Sequence, residues 1–164
     1  MPQGRHLFVS DLHLDGAAPL AVATFLAFLR DEARHCDGLY ILGDLFESWI
    51  GDDDDADLPH EAALRLRAVA DRGIKIGFMA GNRDFALGQD YARRAGFALL
   101  DDPARIDLYG RPALLMHGDT LCTDDVAYQA FRAQSRSPTW QRAFLARSVS
   151  ERQAFAQHAR EESR

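Results

Sequence analysis

The sequence predicts an α/β fold built on a partly parallel sheet. Three observations point there. Short apolar runs alternate with stretches whose apolar residues recur every three or four positions, in the order strand, helix, strand, helix, strand. Each apolar run stops at a polar cluster. Beyond the third run the pattern switches to two alternating segments around a Gly-Arg-Pro turn, which reads as an antiparallel hairpin. At 164 residues the chain fits one domain with a core of its own.

The elements follow in order. His6 to Ser10 is a short buried strand that breaks at Asp11. Pro19 opens a helix whose apolar face is Val22, Phe25, Leu26 and Leu29. Gly38 to Leu42 is the second strand, ending at Gly43-Asp44. Pro59 opens a second helix with Ala62, Leu66, Val69 and Ala70 on one face and Gly73 as its stop. Ile74 to Met79 is the third strand, ending at Gly81-Asn82. Arg105 to Tyr109 and Ala113 to Met116 form the hairpin across residues 110–112. After Asp124 the chain reads as helical, with Pro138 restarting a helix, and Phe131, Trp140, Phe144 and Phe155 supply apolar bulk.

Charge is distributed unevenly. Residues 1–60 carry 3 basic and 12 acidic side chains, whereas residues 126–164 carry 7 and 3. An acidic front half is unsuited to gripping phosphate backbones, so no nucleic-acid partner is expected. An acidic cluster suits divalent cations instead. The basic tail suits an anionic surface, or is simply a solvated arginine face. The run Asp52 to Asp55 reads as a solvated loop, since no frame through it supplies an EF-hand glycine and glutamate. The longest uncharged stretch, Gly16 to Leu29, is too short to span a bilayer. Two cysteines, Cys36 and Cys122, fit a reduced, cytoplasmic setting.

The polar clusters carry the chemistry. Asp11-Leu12-His13, Gly43-Asp44, Gly81-Asn82-Arg83-Asp84 and His117-Gly118-Asp119 each lie just past the carboxyl end of an apolar run. In open α/β sheets that edge is where ligands bind, so residues distant in sequence can meet in one crevice. Asp11 and His13 differ by two, which in extended backbone aims both to one side. Taken singly, each cluster has a plainer reading: a capping pair, a turn, or a hydrogen-bonded core histidine. Taken together, oxygen and imidazole donors without cysteine suit Mn²⁺, Fe²⁺, Zn²⁺ or Mg²⁺. A carboxylate such as Asp44 can bridge two ions, and two ions about 4 Å apart can clamp an in-line phosphoryl displacement.

In this order the clusters resemble the calcineurin-like metallophosphoesterase superfamily. The longer words Ser10-Asp-Leu-His-Leu14, Tyr40-Ile-Leu-Gly-Asp-Leu-Phe-Glu47, Trp49-Ile-Gly-Asp-Asp53, Gly81-Asn-Arg-Asp-Phe85 and Met116 through Asp125 resemble its branch of hydrolases acting on UDP-2,3-diacylglucosamine. Arg83, where most of the superfamily has histidine, is a mark of that branch. The resemblance implies an αββα sandwich with a helical lid, residues 1–125 forming the core and residues 126–164 part of the lid in the same domain. It implies a Mn²⁺-dependent pyrophosphate hydrolase of lipid A synthesis, with two Mn²⁺ ions. Asp11 and His13 would hold one ion, Asp44 would bridge, and Asn82 and His117 would hold the other. Asn82 and Arg83 would also contact substrate, with Arg83 stabilising phosphate charge, and Asp125 and Ser163 would bind the glucosamine part.

The same resemblance implies a peripheral location on the cytoplasmic face of the inner membrane, with an anionic membrane surface as partner and no protein partner. The family closes its metal site with a Gly-His-x-His near the carboxyl end. The histidines here are at 6, 13, 35, 60, 117 and 158, and no such motif occurs, so a truncated form with weak activity is expected. Two other readings stay open: a general metallo-phosphodiesterase or nucleotide pyrophosphatase, and a scaffold that kept the fold without the chemistry.

Overall fold

In the computed structural model, which describes residues 4–162, the first part of the chain alternates four strands with three helices. β1 (His6–Val9), β2 (Gly38–Leu42), β3 (Lys75–Met79) and β4 (Ala98–Leu100) lie side by side in chain order, all parallel. α1 (Pro19–Asp31), α2 (Asp57–Ala70) and α3 (Gln89–Ala95) are the crossovers. A sheet that grows in one direction through right-handed crossovers carries all its helices on one face. Leu39, Ile41, Ile76 and Phe78 of the strands share one core with Phe25 and Leu29 of α1, Leu66 and Val69 of α2, and Ala92 and Ala95 of α3. Pro19 stands at the start of α1 as expected. α2 begins two residues before Pro59, which sits in the first turn, where its missing N–H has no intrahelical partner to lose.

Two elements of this half, α3 and β4, are missing from the sequence reading. α3 has seven residues and borrows its cap: the Asp52 carboxylate accepts from the N–H of Gly88 at 2.9 Å and of Tyr91 at 3.0 Å. β4 has three residues. Segments this short do not reveal a period, and the cap lies far away in sequence.

β5 (Ala104–Leu108) and β6 (Arg111–Leu115) form the expected hairpin as a sheet of their own, Ile106 opposite Ala113. Its turn is tighter than the expected residues 110–112. Tyr109 and Gly110 close it alone, at φ 56° and 85°, and Arg111 and Pro112 join the strand. Positive φ at both central residues is the two-residue turn whose twist matches paired strands.

The rest is helical: α4 (Val126–Ser135), α5 (Pro138–Leu145) and α6 (Val149–Glu162). Asp125 caps α4 by accepting from Tyr128 N–H, and Ser137 caps α5, with Pro138 at its first position. The helices gather around aromatic rings. Trp140 stacks on Phe144 at 5.0 Å, Phe155 lies 5.3 Å from Phe144, and Phe85, from the loop after β3, lies 5.7 Å from Trp140. Among the described residues no helix is long and apolar enough to cross a membrane.

Candidate metal centre

The parallel pairing of β1 with β2 continues past the strand ends, and this builds the first half of the site. Asp11 N–H donates to the Gly43 carbonyl at 3.1 Å, His13 N–H to that of Asp44 at 3.0 Å, and Leu14 N–H to that of Leu45 at 2.9 Å. Asp11, His13 and Asp44 all adopt left-handed backbone, at φ 53°, 46° and 55°. The extended backbone expected for Asp11 and His13 is therefore not what aligns them. The cross-loop hydrogen bonds do, against a backbone cost on the order of 1–3 kcal/mol per residue. Donor atoms of Asp11, His13 and Asp44 all lie within 4.8 Å of one another.

Glycines let a second pair of loops close in. A Cβ on Gly43, which has φ 93°, would run into His117 Nδ1 and lie 2.7 Å from Gly81 Cα. One on Gly81 would run into the Asp44 carboxylate. Gly-Asp and Gly-Asn are thus the sequence trace of two backbones in contact. Asp84 fastens them. Its fully buried carboxylate accepts from Gly81 N–H at 2.8 Å, Leu45 N–H at 2.7 Å and Asp44 N–H at 3.2 Å.

His117 Nδ1 donates to the Leu42 carbonyl at 2.8 Å, because a carbonyl can only accept. In the neutral ring Nε2 is then a lone pair. It faces Asn82 Oδ1 at 3.2 Å and Asp44 Oδ2 at 4.0 Å. The same Asp44 oxygen lies 3.7 Å from His13 Nε2. Two imidazoles, an amide oxygen and a carboxylate converge as acceptors, a donor set that fits a divalent cation. His13 Nδ1 lies 2.8 Å from Glu47 Oε2, off the line of a hydrogen bond.

Burial pushes the Asp44 carboxyl up, against the Arg83 N–H bond to its Oδ1 at 2.9 Å. Burial, with the Asp44 charge beside it, pushes Asp84 up to about 6, and the N–H of Gly81 holds it from rising further. A cation at Asp44 would reverse the balance there, since a bound ion is the largest local charge.

Beside this cluster opens a cleft of about 630 Å³. Asn82 and Arg83 stand at its polar side, and Phe85, Phe131, Phe144 and Phe155 give it apolar walls. The aromatics therefore pack the helices together and also face a cavity. Asp125 lines the cleft while capping α4, and His158 of α6 lines it too. Ser163 lies outside the described residues. The structure thus brings together Asp11, His13, Asp44, Asn82 and His117, with Arg83 and Asp125 along the cleft.

The arginines of the tail mostly face inward. Arg132 binds Asp102 and Asp119 at 2.8 and 2.9 Å, and Arg160 reaches Asp15 at 3.4 Å and Glu47 at 3.3 Å. Arg152, only 2% exposed, holds Asp53 with both nitrogens of its fork. Asp53 is thus an anchor for α6, and with Asp52 capping α3 the acidic run is not a merely solvated loop. Burial pushes the Asp119 carboxyl up, but hydrogen bonds from Tyr128 and Arg132 outweigh it and hold it low. Sequence reasoning gave no role to Asp84, Asp119, Arg132 or Arg152. Asp84 and Asp119 each sit inside a site word, which was the available signal.

This geometry can be set beside known proteins. The chain is 60% identical over 154 residues to a protein of Xanthomonas oryzae pv. oryzae named UDP-2,3-diacylglucosamine hydrolase, a match covering 94% of this chain and 62% of that one. These proteins are its homologues. A protein of the same name from Stenotrophomonas maltophilia is 57% identical over 157 residues, covering 96% and 63%. Another, from Xanthomonas campestris pv. campestris, is 58% identical over 154 residues, covering 94% and 62%. The chain thus spans about three-fifths of the length of these curated relatives. No family model matches it.

Proposed function

We propose that this chain carries the metal-binding core of a hydrolase that cleaves the pyrophosphate of UDP-2,3-diacylglucosamine, on a calcineurin-like αββα scaffold. The observation that carries this reading is the convergence of Asp11, His13, Asp44, Asn82 and His117, with Asn82 also lining a cleft that has Arg83 at its polar side and phenylalanines along its walls. Several phenylalanines along one cleft give the extended apolar surface that acyl chains bury. The names of the homologues support the same substrate. Residues 1–125 form the core in this reading, and residues 126–164 belong to its helical lid.

Two divalent cations, Mn²⁺ in this reading, would polarise the phosphoryl oxygens and lower the pKa of an attacking water. Asp11 and His13 would hold one ion, Asn82 and His117 the other, and Asp44 would serve both. Arg83 faces the cleft and offsets charge that builds on the phosphate oxygens. In this reading the water oxygen would bond to the phosphorus nearest uridine as the anhydride P–O bond breaks, with the water's protons released to solvent, giving UMP and 2,3-diacylglucosamine 1-phosphate. Asp125 is the remaining candidate for the sugar, at the rim beside its own helix cap. Location on the cytoplasmic face of the inner membrane belongs to the same proposal. It is supported by the corner between α5 and α6, where Arg142 and Arg147 are exposed beside the exposed Leu145 and Val149.

Turnover of UDP-2,3-diacylglucosamine against UDP-glucose and a plain phosphodiester, with Mn²⁺ present, tests the substrate. Preference for the diacylated compound, abolished by Asp44→Asn, is the expected result. Equal rates on all three would leave a general phosphodiesterase.

A further inference from the structure

Asp11, His13 and Asp44 are aligned by a parallel ladder, but Asn82 and His117 are not. Asn82 follows β3 of the parallel sheet, and His117 follows β6 of the separate hairpin, so no strand pairing sets one loop against the other. The His117–Leu42 bond ties the ring to β2, and one face of α4, extended by Arg136 at its C-cap, ties the two loops to each other. Tyr128, Arg132 and Arg136 recur every four residues and so share that face. Tyr128 Oη–H donates to Asp119 Oδ2 at 2.5 Å, and Arg132 Nε donates to the same oxygen at 2.9 Å. Arg132 Nη2 donates to Asp102 Oδ2 at 2.8 Å, and Asp102 Oδ1 accepts from the N–H of His117 at 3.4 Å. Arg136 Nη2 crosses to the other loop and donates to the carbonyls of Gly81 at 2.9 Å and Ala80 at 3.2 Å.

We propose that Arg132 and Arg136 are positioning residues for the candidate metal centre: α4 sets Asn82 against His117, so its docking and cation binding on that side of Asp44 are one linked equilibrium. The proposal rests on the metal-centre reading above and adds the helix to it. Arg132 binds two carboxylates from two loops with separate nitrogens of one planar fork, a fixed spacing that a lysine ammonium does not provide. The Asp119 and Asp102 side chains are each 8% exposed, so water does not substitute for a lost partner. Linkage makes the effect reciprocal: if docked α4 favours the cation, the cation favours docked α4.

The probe is Mn²⁺ alone, titrated calorimetrically into the unaltered protein, Arg132→Lys, Arg136→Lys, Asp44→Asn and the surface control Arg142→Lys. Amide hydrogen exchange over residues 126–135 is measured with and without the ion. Mn²⁺ should slow exchange along α4 in the unaltered protein, a measurement that needs no variant to fold. Arg132→Lys and Arg136→Lys should each weaken one class of Mn²⁺ binding about tenfold or more, as loss of a supporting partner does, and diminish that protection. Mn²⁺ that leaves α4 exchange unchanged, or clamp variants that bind it as Arg142→Lys does, overturns the proposal. Silent clamp variants beside an Asp44→Asn that binds no Mn²⁺ remove the clamp alone. Asp44→Asn that binds Mn²⁺ normally removes the metal centre, and the clamp with it.

Discussion

A carboxylate with no exposed surface must be satisfied by protein donors, and Asp84 is. Its oxygens hold N–H groups from the loops after β2 and β3, so one side chain fixes the backbone on which Asp44 and Asn82 stand. Asn at this position keeps the shape but turns one oxygen into a donor facing donors. Asp84→Asn should therefore cost about 3 kcal/mol, the loss of charge-assisted bonds plus an N–H group left unpaired. Urea unfolding of the two proteins measures this, and a difference below about 1 kcal/mol would show that water or a shifted loop replaces the carboxylate. The five residues proposed as donors could be picked out from sequence because each sits in a short word at a strand end. Asp84 sits in such a word as well, yet its partners are backbone groups of another loop. Residue type does not reveal those.

At the scale of elements, legibility followed length and the distance to the deciding partner. α1 and α2 are long enough to show a period, and the first three strands stand out as apolar runs that stop at polar clusters. α3 and β4 do not, and the cap of α3 comes from Asp52. The acidic run misled for the same reason: Asp53 meets Arg152 across 99 positions. That pair makes α6 sensitive to acid. The hydrogen bond from Arg152 holds the Asp53 carboxyl below its ordinary value. A carboxyl depressed on folding stabilises fully above its unfolded pKa, near 3.9, and the contribution is lost as pH falls through the folded value. Docking of α6 should thus be constant from pH 7 to about 5 and weaken below about pH 4. Asp53 is largely exposed, so solvent screens the pair and the change should be modest. Hydrogen exchange along residues 149–162 at matched pH follows it. Asp53→Asn should lower protection at neutral pH and flatten the dependence, and an unchanged acid response in that variant would assign it to another carboxylate.

Over the whole molecule, the basic tail docks on carboxylates of the rest of the chain, those of Asp15, Glu47 and Asp53 in the acidic front and those of Asp102 and Asp119 beyond it. Arg132, Arg152 and Arg160 pair with Asp102, Asp119, Asp53, Asp15 and Glu47, and Arg136 is spent on backbone carbonyls. The gradient read from sequence therefore acts first as the means by which the helices dock on the core. It leaves Arg142 and Arg147 as exposed cations beside Leu145 and Val149 at the α5–α6 corner. Each basic residue near an anionic leaflet contributes about 1 kcal/mol, so these two supply about 2 kcal/mol, on the order of 30-fold in partitioning. Binding to vesicles rich in anionic lipid should accordingly be weak at low salt and vanish at high salt. Sedimentation with such vesicles should also lose the protein when Arg142 and Arg147 are both changed to glutamine. Changing Arg132 should disturb cation binding instead, because that guanidinium faces inward. Vesicle binding that survives the double substitution would place the membrane-facing surface elsewhere on the molecule.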